Sequence, residues 1–327
     1  MLTRRATLAA LAGLAATRGA RAQIPAGGAF PTRPITIVVP YPAGGPVDVT
    51  ARLIAQSIGG TLGQPITVDN RGGGAGLIGS VAVQHAEPDG HTLILGTNQT
   101  HATNQSLLKN WPFDAVKDFS PVAGIAEIPH VLVVRQGLGA ENVAALVALA
   151  KKSPGALNYA STGIGSASHL AAELFKTRAG VDLQHIPFRG AAPMLTELLA
   201  GRVDLTFATL PGVISTIESG ALRAMSVASA RRAARLPDVP TLAEAGVPGV
   251  EADAWFAVFA PAKTPAAIID KLYGAVSAGL TTKDASKAIA AQGMTLALRT
   301  PPELTAWLPG EIEKWAAVIK STGVVAE

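Results

Sequence analysis

The chain has 327 residues, of which 48% are hydrophobic and 15% are charged, and it contains no cysteine. This length predicts two domains, because single hydrophobic cores stop growing before it is reached. The apolar share excludes a disordered chain. The formal net charge of +4 arises in the first 22 residues, which carry four arginines and no acid. Removing these four from the 27 Lys and Arg leaves 23, equal to the 23 Asp and Glu. Because this remainder is neutral, the basic pI is no argument for nucleic acid or an acidic membrane as a partner, and we predict no nucleic-acid partner.

Residues 1–22 have the layout of an export signal. Arg4 and Arg5 precede a short apolar run, and a small-residue cleavage motif at residues 20–22 precedes Gln23. The arginine pair resembles a twin-arginine signal, and an ordinary secretory signal also fits. The sequence therefore predicts a cleaved signal and a soluble periplasmic protein. Without cysteine it has no lipid-attachment site, disulfide or thiolate metal site.

Two successive sets of short strands and helices follow. The first set has predicted strands at 35–40, 66–68 and 91–96 and helices at 47–58 and 77–86. The second has strands at 131–134, 157–160, 183–188 and 203–208 and helices at 143–152, 167–178 and 192–200. After residue 260 the chain is predicted to be mainly helical. This alternation indicates two α/β halves with a cleft between them, the first built on a mostly parallel sheet.

Two glycine-rich loops, at 42–45 and 161–166, each lie between a predicted strand and a predicted helix. Such a loop directs unpaired backbone N–H groups and the positive end of a helix dipole toward one point, which suits an anion. Neither loop has the dinucleotide pattern or the Lys-Ser/Thr pair of a phosphate loop. A single loop of this kind is usually only a turn. Two of them in separate halves favour a two-sided carboxylate site.

Ser166 and His169 raise the alternative of a serine hydrolase. That chemistry needs a third residue to orient the base and an oxyanion hole, and the chain has no G-x-S-x-G elbow. Serine at a helix start is more often a cap. The six histidines have no metal-ligand spacing, so we predict neither a metal site nor a cofactor.

Three further polar residues are candidates for the site, and two of them have two interpretations. Asp48 either complements the dipole of the helix that it begins or positions a ligand group or water. Asp204 is a polar exception beside an apolar segment, where a charge is rarely buried without a partner. Arg189 and Gly190 follow a strand and either border the cleft or are simply exposed.

The order of these motifs resembles that of the periplasmic receptors of tripartite tricarboxylate transporters, also called Bug proteins. The matching stretches are Pro-Tyr-Pro-Ala-Gly-Gly-Pro-Val-Asp at 40–48, Asn-Arg-Gly-Gly-Gly-Ala-Gly-Leu-Ile-Gly at 70–79, Ala-Ser-Thr-Gly-Ile-Gly-Ser at 160–166, Ile-Pro-Phe-Arg-Gly at 186–190, Gly-Arg-Val-Asp at 201–204 and Leu-Pro-Asp-Val-Pro-Thr at 236–241. The sequence departs from the family at 105–108, where members commonly have a proline and an aromatic residue.

The resemblance implies a two-lobe periplasmic binding protein fold of α/β class, type II-like, with no catalytic activity. The expected division is a signal at 1–22, a first lobe of 23–128 with 257–327, and a second lobe of 129–256. Crossing strands are expected at 129–134 and 255–261.

The resemblance also implies a function. A monomer would capture a small carboxylated solute (a di- or tricarboxylate, an amino acid or an aromatic acid) for the membrane subunits of a tripartite transporter. The alternative is a sensing module for a signalling receptor. Backbone amides, hydroxyls and bridging waters would hold the ligand, at a site formed by Tyr41, Pro42, Ala43, Gly44, Gly45, Asp48, Asn98, Ser161, Thr162, Gly163, Gly165, Ser166, His169, Arg189, Gly190 and Asp204.

Overall fold

The structure, a computed structural model, describes residues 30–324, so the predicted export signal lies outside the described residues. The strands are β1 Ile35–Val39, β2 Ile66–Asn70, β3 Thr92–Thr97, β4 Phe119–Ile128, β5 His130–Arg135, β6 Asn158–Ser161, β7 Gln184–Pro187, β8 Leu205–Thr209, β9 Leu222–Val227, β10 Ala254–Pro261 and β11 Thr295–Arg299. The helices are α1 Pro46–Leu62, α2 Leu77–Gln84, α3 Asn104–Leu107, α4 Val143–Lys152, α5 Ala167–Ala179, α6 Ala191–Leu199, α7 Leu210–Glu218, α8 Ala266–Leu280, α9 Lys283–Ala291 and α10 Pro301–Thr322. A π-helical turn, Gln99–Thr103, connects β3 to α3.

The first lobe is built on a six-stranded sheet of order β11-β4-β10-β3-β1-β2. β1 is parallel to β2 and β3, whereas β10 is antiparallel to β3 and β4, and β11 is antiparallel to β4. The prediction of a mostly parallel sheet was therefore wrong. The sheet is mixed because β10 returns from the second lobe and inserts between β3 and β4. The predicted helical C-terminal region also contains a strand, β11, at the sheet edge.

The second lobe is built on a five-stranded sheet of order β7-β6-β8-β5-β9. β6 is parallel to β7 and β8, and β5 is antiparallel to β8 and β9. Four of these strands were predicted, whereas β9 and α7 were not. The two-lobe α/β prediction is confirmed. None of the helices between residues 30 and 324 combines the length and the hydrophobicity needed to cross a bilayer.

The chain passes between the lobes twice, at neighbouring positions. The first crossing is Pro129, between β4 and β5, and the second is the segment 228–253, between β9 and β10. The two crossings are bonded side by side, because the Ala228 N–H donates to the carbonyl of His130 at 2.8 Å and the Ala252 N–H donates to the carbonyl of Ala228 at 2.9 Å.

The predicted crossing strands do not themselves cross. All of β5 pairs within the second sheet and all of β10 pairs within the first. The first crossing falls at Pro129 because proline has no N–H to donate to a strand ladder. The predicted lobe boundary after residue 256 lies inside β10.

A buried glutamate joins the C-terminal helix α10 to β10. Oε1 of Glu311 accepts hydrogen bonds from the indole N–H groups of Trp255 at 3.3 Å and Trp315 at 2.6 Å. All three side chains are buried. One carboxylate oxygen therefore satisfies two buried donors and fixes the helix against the strand that returns from the second lobe.

We expect Glu311→Ala to lower the free energy of unfolding by about 2–4 kcal/mol, because it leaves two indole N–H groups buried without an acceptor. Glu311→Gln keeps a carbonyl oxygen and should cost about 1 kcal/mol. Urea unfolding measures both values, with the exposed Glu313→Ala as the matched control. Equal stability of Glu311→Ala and Glu313→Ala would contradict this role.

Candidate functional site

A cleft between the two lobes contains an inner cavity of about 180 Å³ that opens into a wider mouth of about 650 Å³. The two spaces share a throat formed by Tyr41, Pro46, Val47, Gln99, Thr162, Ala191, Leu195 and Gly212. Farther in, the lining adds Thr97, Asn98, His130, Ser166, Ala167, Ser168, Met194, Phe207, Ala208, Thr209, Val213, Ala254 and Phe256. Both lobes therefore contribute to one pocket.

Five helical segments begin at this pocket. These are α1, α5, α6, α7 and the π-helical turn, whose first turns contribute Pro46, Ala167, Ala191, Gly212 and Gln99 to the lining. In the described chain the N-cap residues of α1, α6 and α7 make no side-chain cap hydrogen bond. Unpaired backbone N–H groups and positive dipole ends therefore converge on the throat, which favours a bound anion.

The first glycine-rich loop is held from behind by Asp48. Its Oδ2 accepts hydrogen bonds from the Gly44 N–H at 2.9 Å and from Nε of Arg52 at 3.0 Å. Burial alone would raise the pKa of Asp48, but the hydrogen bonds from Arg52 and Gly44 outweigh it and keep the pKa below its usual value. Asp48 is absent from the described lining of the pocket, so it shapes the loop and does not face a ligand.

Tyr41 orients a glutamine at the throat. Its hydroxyl donates to Oε1 of Gln99 at 3.0 Å and lies 2.9 Å from Oγ1 of Thr97. Burial raises the pKa of Tyr41 to about 12, although the Thr97 hydroxyl lowers it, so the phenol keeps its proton. The amide group of Gln99 is thereby fixed with its oxygen toward the tyrosine and its nitrogen available as a donor.

Hydroxyl groups close the second loop around the start of α5. The Thr162 N–H donates to Oγ of Ser168 at 3.0 Å, and the Ser166 hydroxyl donates to the carbonyl of Gly163 at 2.7 Å. Oγ of Ser166 and Oγ of Ser168 lie 2.9 Å apart. Ser166 also caps α5, because its Oγ accepts from the His169 N–H at 3.3 Å. These hydrogen bonds within the loop and with the start of α5 fix the conformation of the loop.

Two stacked histidines support this loop from below. The Gly165 N–H donates to Nδ1 of His169 at 2.9 Å, so His169 is neutral with its other ring nitrogen protonated. Burial, together with the neighbouring His185, lowers the pKa of His169 to about 4. The two rings stack with centroids 3.9 Å apart, and Nε2 of His185 lies 2.7 Å from Oγ of Ser161. Ser161 and His169 therefore act on the loop, and Ser166 and His169 do not form a nucleophile–base pair.

Ten of the sixteen predicted site residues line the pocket. These are Tyr41, Pro42, Ala43, Gly44, Gly45, Asn98, Thr162, Ser166, Arg189 and Gly190. The six that do not line it in the described chain are Asp48, Ser161, Gly163, Gly165, His169 and Asp204. Three of these six, Asp48, Ser161 and His169, support the two loops. The other three, Gly163, Gly165 and Asp204, have other contacts.

Asp204 lies at the wrong end of its strand to contact a ligand. It precedes β8, and its carboxylate accepts from Nε of Arg135 at 2.8 Å and from the Asn158 N–H at 2.9 Å. The pocket instead contacts Thr209, the last residue of β8, because the carboxyl ends of parallel strands face the cleft. Asp204 is therefore a structural ion-pair residue.

The two glycines of the second loop, Gly163 and Gly165, do not line the pocket of the described chain. A Cβ atom at Gly163 would meet only the carbonyl oxygen of Phe188, at 3.6 Å, and glycine is needed there for its φ of 134°. A Cβ atom at Gly165 would lie 1.7 Å from Cδ2 of Leu107, which belongs to the first lobe. Gly165 therefore permits contact between the lobes.

Six polar lining residues were not predicted from the sequence: Thr97, Gln99, His130, Ser168, Thr209 and, at the mouth, Gln292. Thr97 and Thr209 end strands β3 and β8, and Gln99 closely follows β3, so the rule that ligands bind at the carboxyl ends of strands indicates all three. No sequence signal indicates His130, which begins a strand and reaches the pocket only because the crossing at Pro129 brings it there.

We expect Gly165→Ala to destabilise the protein more than Gly220→Ala does. Both glycines have a φ near +70°, which costs alanine about 1–2 kcal/mol, but Gly220 has open space and Gly165 faces Leu107. The clash should add about 1–3 kcal/mol. Urea unfolding of both variants measures the difference.

In a Leu107→Ala background, Gly165→Ala should cost less free energy of unfolding than it does in the wild type, because the clashing methyl group is absent. Equal costs at Gly165 and Gly220 would show that the lobes do not press together at this point.

The free energy of unfolding should fall as the pH drops from 6.5 to 5. Burial lowers the pKa of His101 to about 3 and the pKa of His130 to about 4, and the pKa of His169 is also about 4. Burial also lowers the pKa of His185. The unfolded chain therefore binds protons on these four rings that the folded chain does not bind. Burial raises the pKa of Asp253 to about 6, so the folded chain binds one extra proton and partly offsets this effect. From these groups the net loss is up to about 4 kcal/mol per pH unit.

Urea unfolding at pH 7, 6 and 5 measures this dependence. The imidazole NMR signals of His101, His130 and His169 provide the control, since none should titrate above pH 5. Titration of these three rings near pH 6.5 would contradict the assignment.

The chain matches a known protein family over most of its length. Residues 50–324 match the family model described as "Tripartite tricarboxylate transporter family receptor". Protein BugT of Bordetella pertussis is 38% identical over 309 residues, which cover 94% of this chain and 94% of BugT.

Solved structures with the same fold are similar over nearly their whole length. A protein of R. palustris solved with adipate has a TM-score of 0.85 and 38% identity, covering 90% of this chain and 99% of that one. MatC of Rhodopseudomonas palustris, solved with bound malate, has a TM-score of 0.81 and 35% identity, covering 89% and 100%. The periplasmic binding protein BugD has a TM-score of 0.83 and 34% identity, covering 91% and 100%.

These relatives are substrate-binding receptors, so the hydrolase alternative is wrong. The family match and the two-lobe fold with its interlobe pocket lead to one conclusion: the chain belongs to the tripartite tricarboxylate transporter receptor family, whose members are periplasmic solute-binding proteins.

Proposed function

We propose that this receptor captures a small organic carboxylate between its lobes and delivers it to the membrane subunits of a tripartite transporter. The observation that carries the proposal is the convergence of five helical starts on the interlobe pocket, whose inner cavity has a volume of about 180 Å³. In the described chain no lysine or arginine lines the inner cavity. A carboxylate would therefore be bound by N–H groups and helix dipoles. The solved relatives with adipate and malate support a carboxylate ligand.

The ligand carboxylate lies, in this proposal, at the throat between the starts of α1, α6 and α7 and the loop before α5. The proposed binding residues are Tyr41, Pro42, Ala43, Gly44, Gly45, Asn98, Thr162, Ser166, Arg189 and Gly190, together with Gln99 and Ser168. Waters bridge those N–H groups that the carboxylate does not reach directly.

Arg189 attracts the ligand before it binds. It is exposed and is the one cationic residue of the described chain that lines the mouth. An exposed charge at a cleft entrance raises the association rate of an anion more than its final affinity. Arg189→Gln should therefore slow association with little change in dissociation.

Ligand capture closes the lobes about the paired crossings at Pro129 and 228–253. We propose that the protein works as a monomer after a cleaved signal, on a twin-arginine or ordinary route, has exported it to the periplasm. The lobe boundaries and the start of the mature chain near Gln23 stay predictions.

The experiment is a thermal-shift screen of the chain from Gln23 against mono-, di- and tricarboxylates, amino acids and aromatic acids, followed by calorimetry. Ligand at about 100 times its Kd should add about 2.7 kcal/mol to the free energy of unfolding. Thr162→Val should weaken the best ligand by a few-fold to about tenfold, because it removes one hydroxyl from the throat.

Thr177→Val provides the matched control, because Thr177 is an exposed residue on α5 outside the pocket. Absence of stabilisation by every carboxylate would contradict the proposed function. Equal affinities of the two valine variants would exclude the Thr162 hydroxyl from the site.

A further inference from the structure

One wall of the inner cavity lies next to the two lobe crossings and differs in chemistry from the throat. This hinge wall is formed by Thr97, Asn98, His130, Ala254 and Phe256. Thr97 and Phe256 pair in the first sheet, and His130 begins the first strand of the second lobe. The hydroxyl of Thr97 is already engaged by Tyr41. Asn98 and His130 are therefore the polar side chains that the hinge wall offers to a ligand.

His130 offers a hydrogen-bond acceptor. Its side chain is buried, and Nδ1 lies 2.7 Å from the carbonyl oxygen of Ala252. A carbonyl oxygen only accepts, so Nδ1 must carry the proton, and Nε2 of the neutral ring then has a free lone pair. No group of the described chain hydrogen-bonds Nε2. Burial lowers the pKa of His130 to about 4, although the hydrogen bond to Ala252 raises it, so the ring stays neutral at pH 7.

Asn98 offers a hydrogen-bond donor. It is only 3% exposed, and its Nδ2 is fully buried with no partner among residues 30–324. A buried donor without an acceptor costs free energy, and a bound ligand can recover that cost. Asn98 lies directly after β3 and before the π-helical turn, so the backbone on both sides of it is fixed. The hinge wall thus presents one donor and one acceptor, both neutral.

A second carboxylate fits this wall poorly. A carboxylate only accepts, so it could bind Asn98 but would face the lone pair of His130. A hydroxyl or carboxamide group can donate to His130 and accept from Asn98 at the same time. Apolar side chains, including Met194 and Phe207, line the cavity beside these two residues.

We propose that the cleft selects a monocarboxylate whose apolar body ends in a neutral hydroxyl or carboxamide group, recognised by Nε2 of His130 and Nδ2 of Asn98. This inference rests on the proposed function, because the throat must hold the first carboxylate. It names His130 and Asn98 as the residues that determine which carboxylate binds.

The test is calorimetry at pH 7.5 with two matched ligand series. The aliphatic series is adipate, adipic acid monoamide, 6-hydroxyhexanoate and hexanoate. The aromatic series is terephthalate, terephthalic acid monoamide, 4-(hydroxymethyl)benzoate and 4-methylbenzoate. In whichever series binds, the monoamide and the hydroxyl compound should bind at least about tenfold tighter than the dicarboxylate and the methyl compound.

Variants at position 130 locate the effect. His130→Leu removes the acceptor and should reduce the affinity for the monoamide to that for the methyl compound. His130→Gln keeps a carbonyl acceptor and should retain most of the preference. His85→Leu provides the matched control, because His85 is exposed and outside the described lining. The wild-type ligand series decides the question even if a variant fails to fold.

The possible failures are distinguishable. A dicarboxylate that binds as tightly as its monoamide, or an unchanged preference in folded His130→Leu, would overturn this inference and leave carboxylate capture intact. Absence of binding by all eight compounds, while another carboxylate binds in the thermal-shift screen, would overturn this inference alone. Absence of binding by every carboxylate would overturn both this inference and the proposed function.

Discussion

The direction of the strands next to the cleft determines the chemistry of this receptor. In both lobes strands end at the cleft, namely β1, β3, β6, β7 and β8, and the helical segments that follow them begin there. Each beginning leaves backbone N–H groups without an intrahelical partner, and each carries the positive end of a dipole. An anion site therefore arises from chain direction alone, and the inner cavity needs no arginine in the described lining. Because such a site recognises only a carboxylate group, it is compatible with ligands that differ in the rest of the molecule.

A second layer of residues keeps these N–H groups in place. Asp48 holds the first loop as a buried anion, whereas His169 holds the second as a buried neutral ring. Each role needs one protonation state, and burial with specific hydrogen bonds selects it. The loops are therefore preorganised, which reduces the ordering cost of binding. Asp48 and His169 therefore belong to the same sequence motifs as the lining residues, although they support the loops and do not line the pocket of the described chain.

Sequence reasoning predicted what local patterns determine. The β-branched run before Pro40 and the glycines and prolines after it specify strand, loop and helix, and the same holds around residues 157–167. The insertion of β10 between β3 and β4 depends on partners more than 120 residues away, and no local pattern encodes it. At the site, residues that line the pocket and residues that support the loop occur in the same motifs. Spacing alone could not distinguish Thr162, which lines the pocket, from Ser161, which supports the loop. His130 was missed because its place depends on the lobe crossing.

Selectivity and closure depend on the same part of the molecule. The throat receives a carboxylate from helix starts in both lobes, while the hinge wall combines Phe256 from one lobe with His130 from the other. A ligand that spans both regions contacts the moving lobes and the axis about which they move. In our proposal its far end accepts a hydrogen bond from the buried Asn98 amide, which has no partner in the described chain. Because a ligand shifts a conformational equilibrium only by its differential affinity, a wrong far end weakens closure as well as binding. In our proposal, discrimination among carboxylates therefore occurs at the hinge wall, beside the crossings about which the lobes would close.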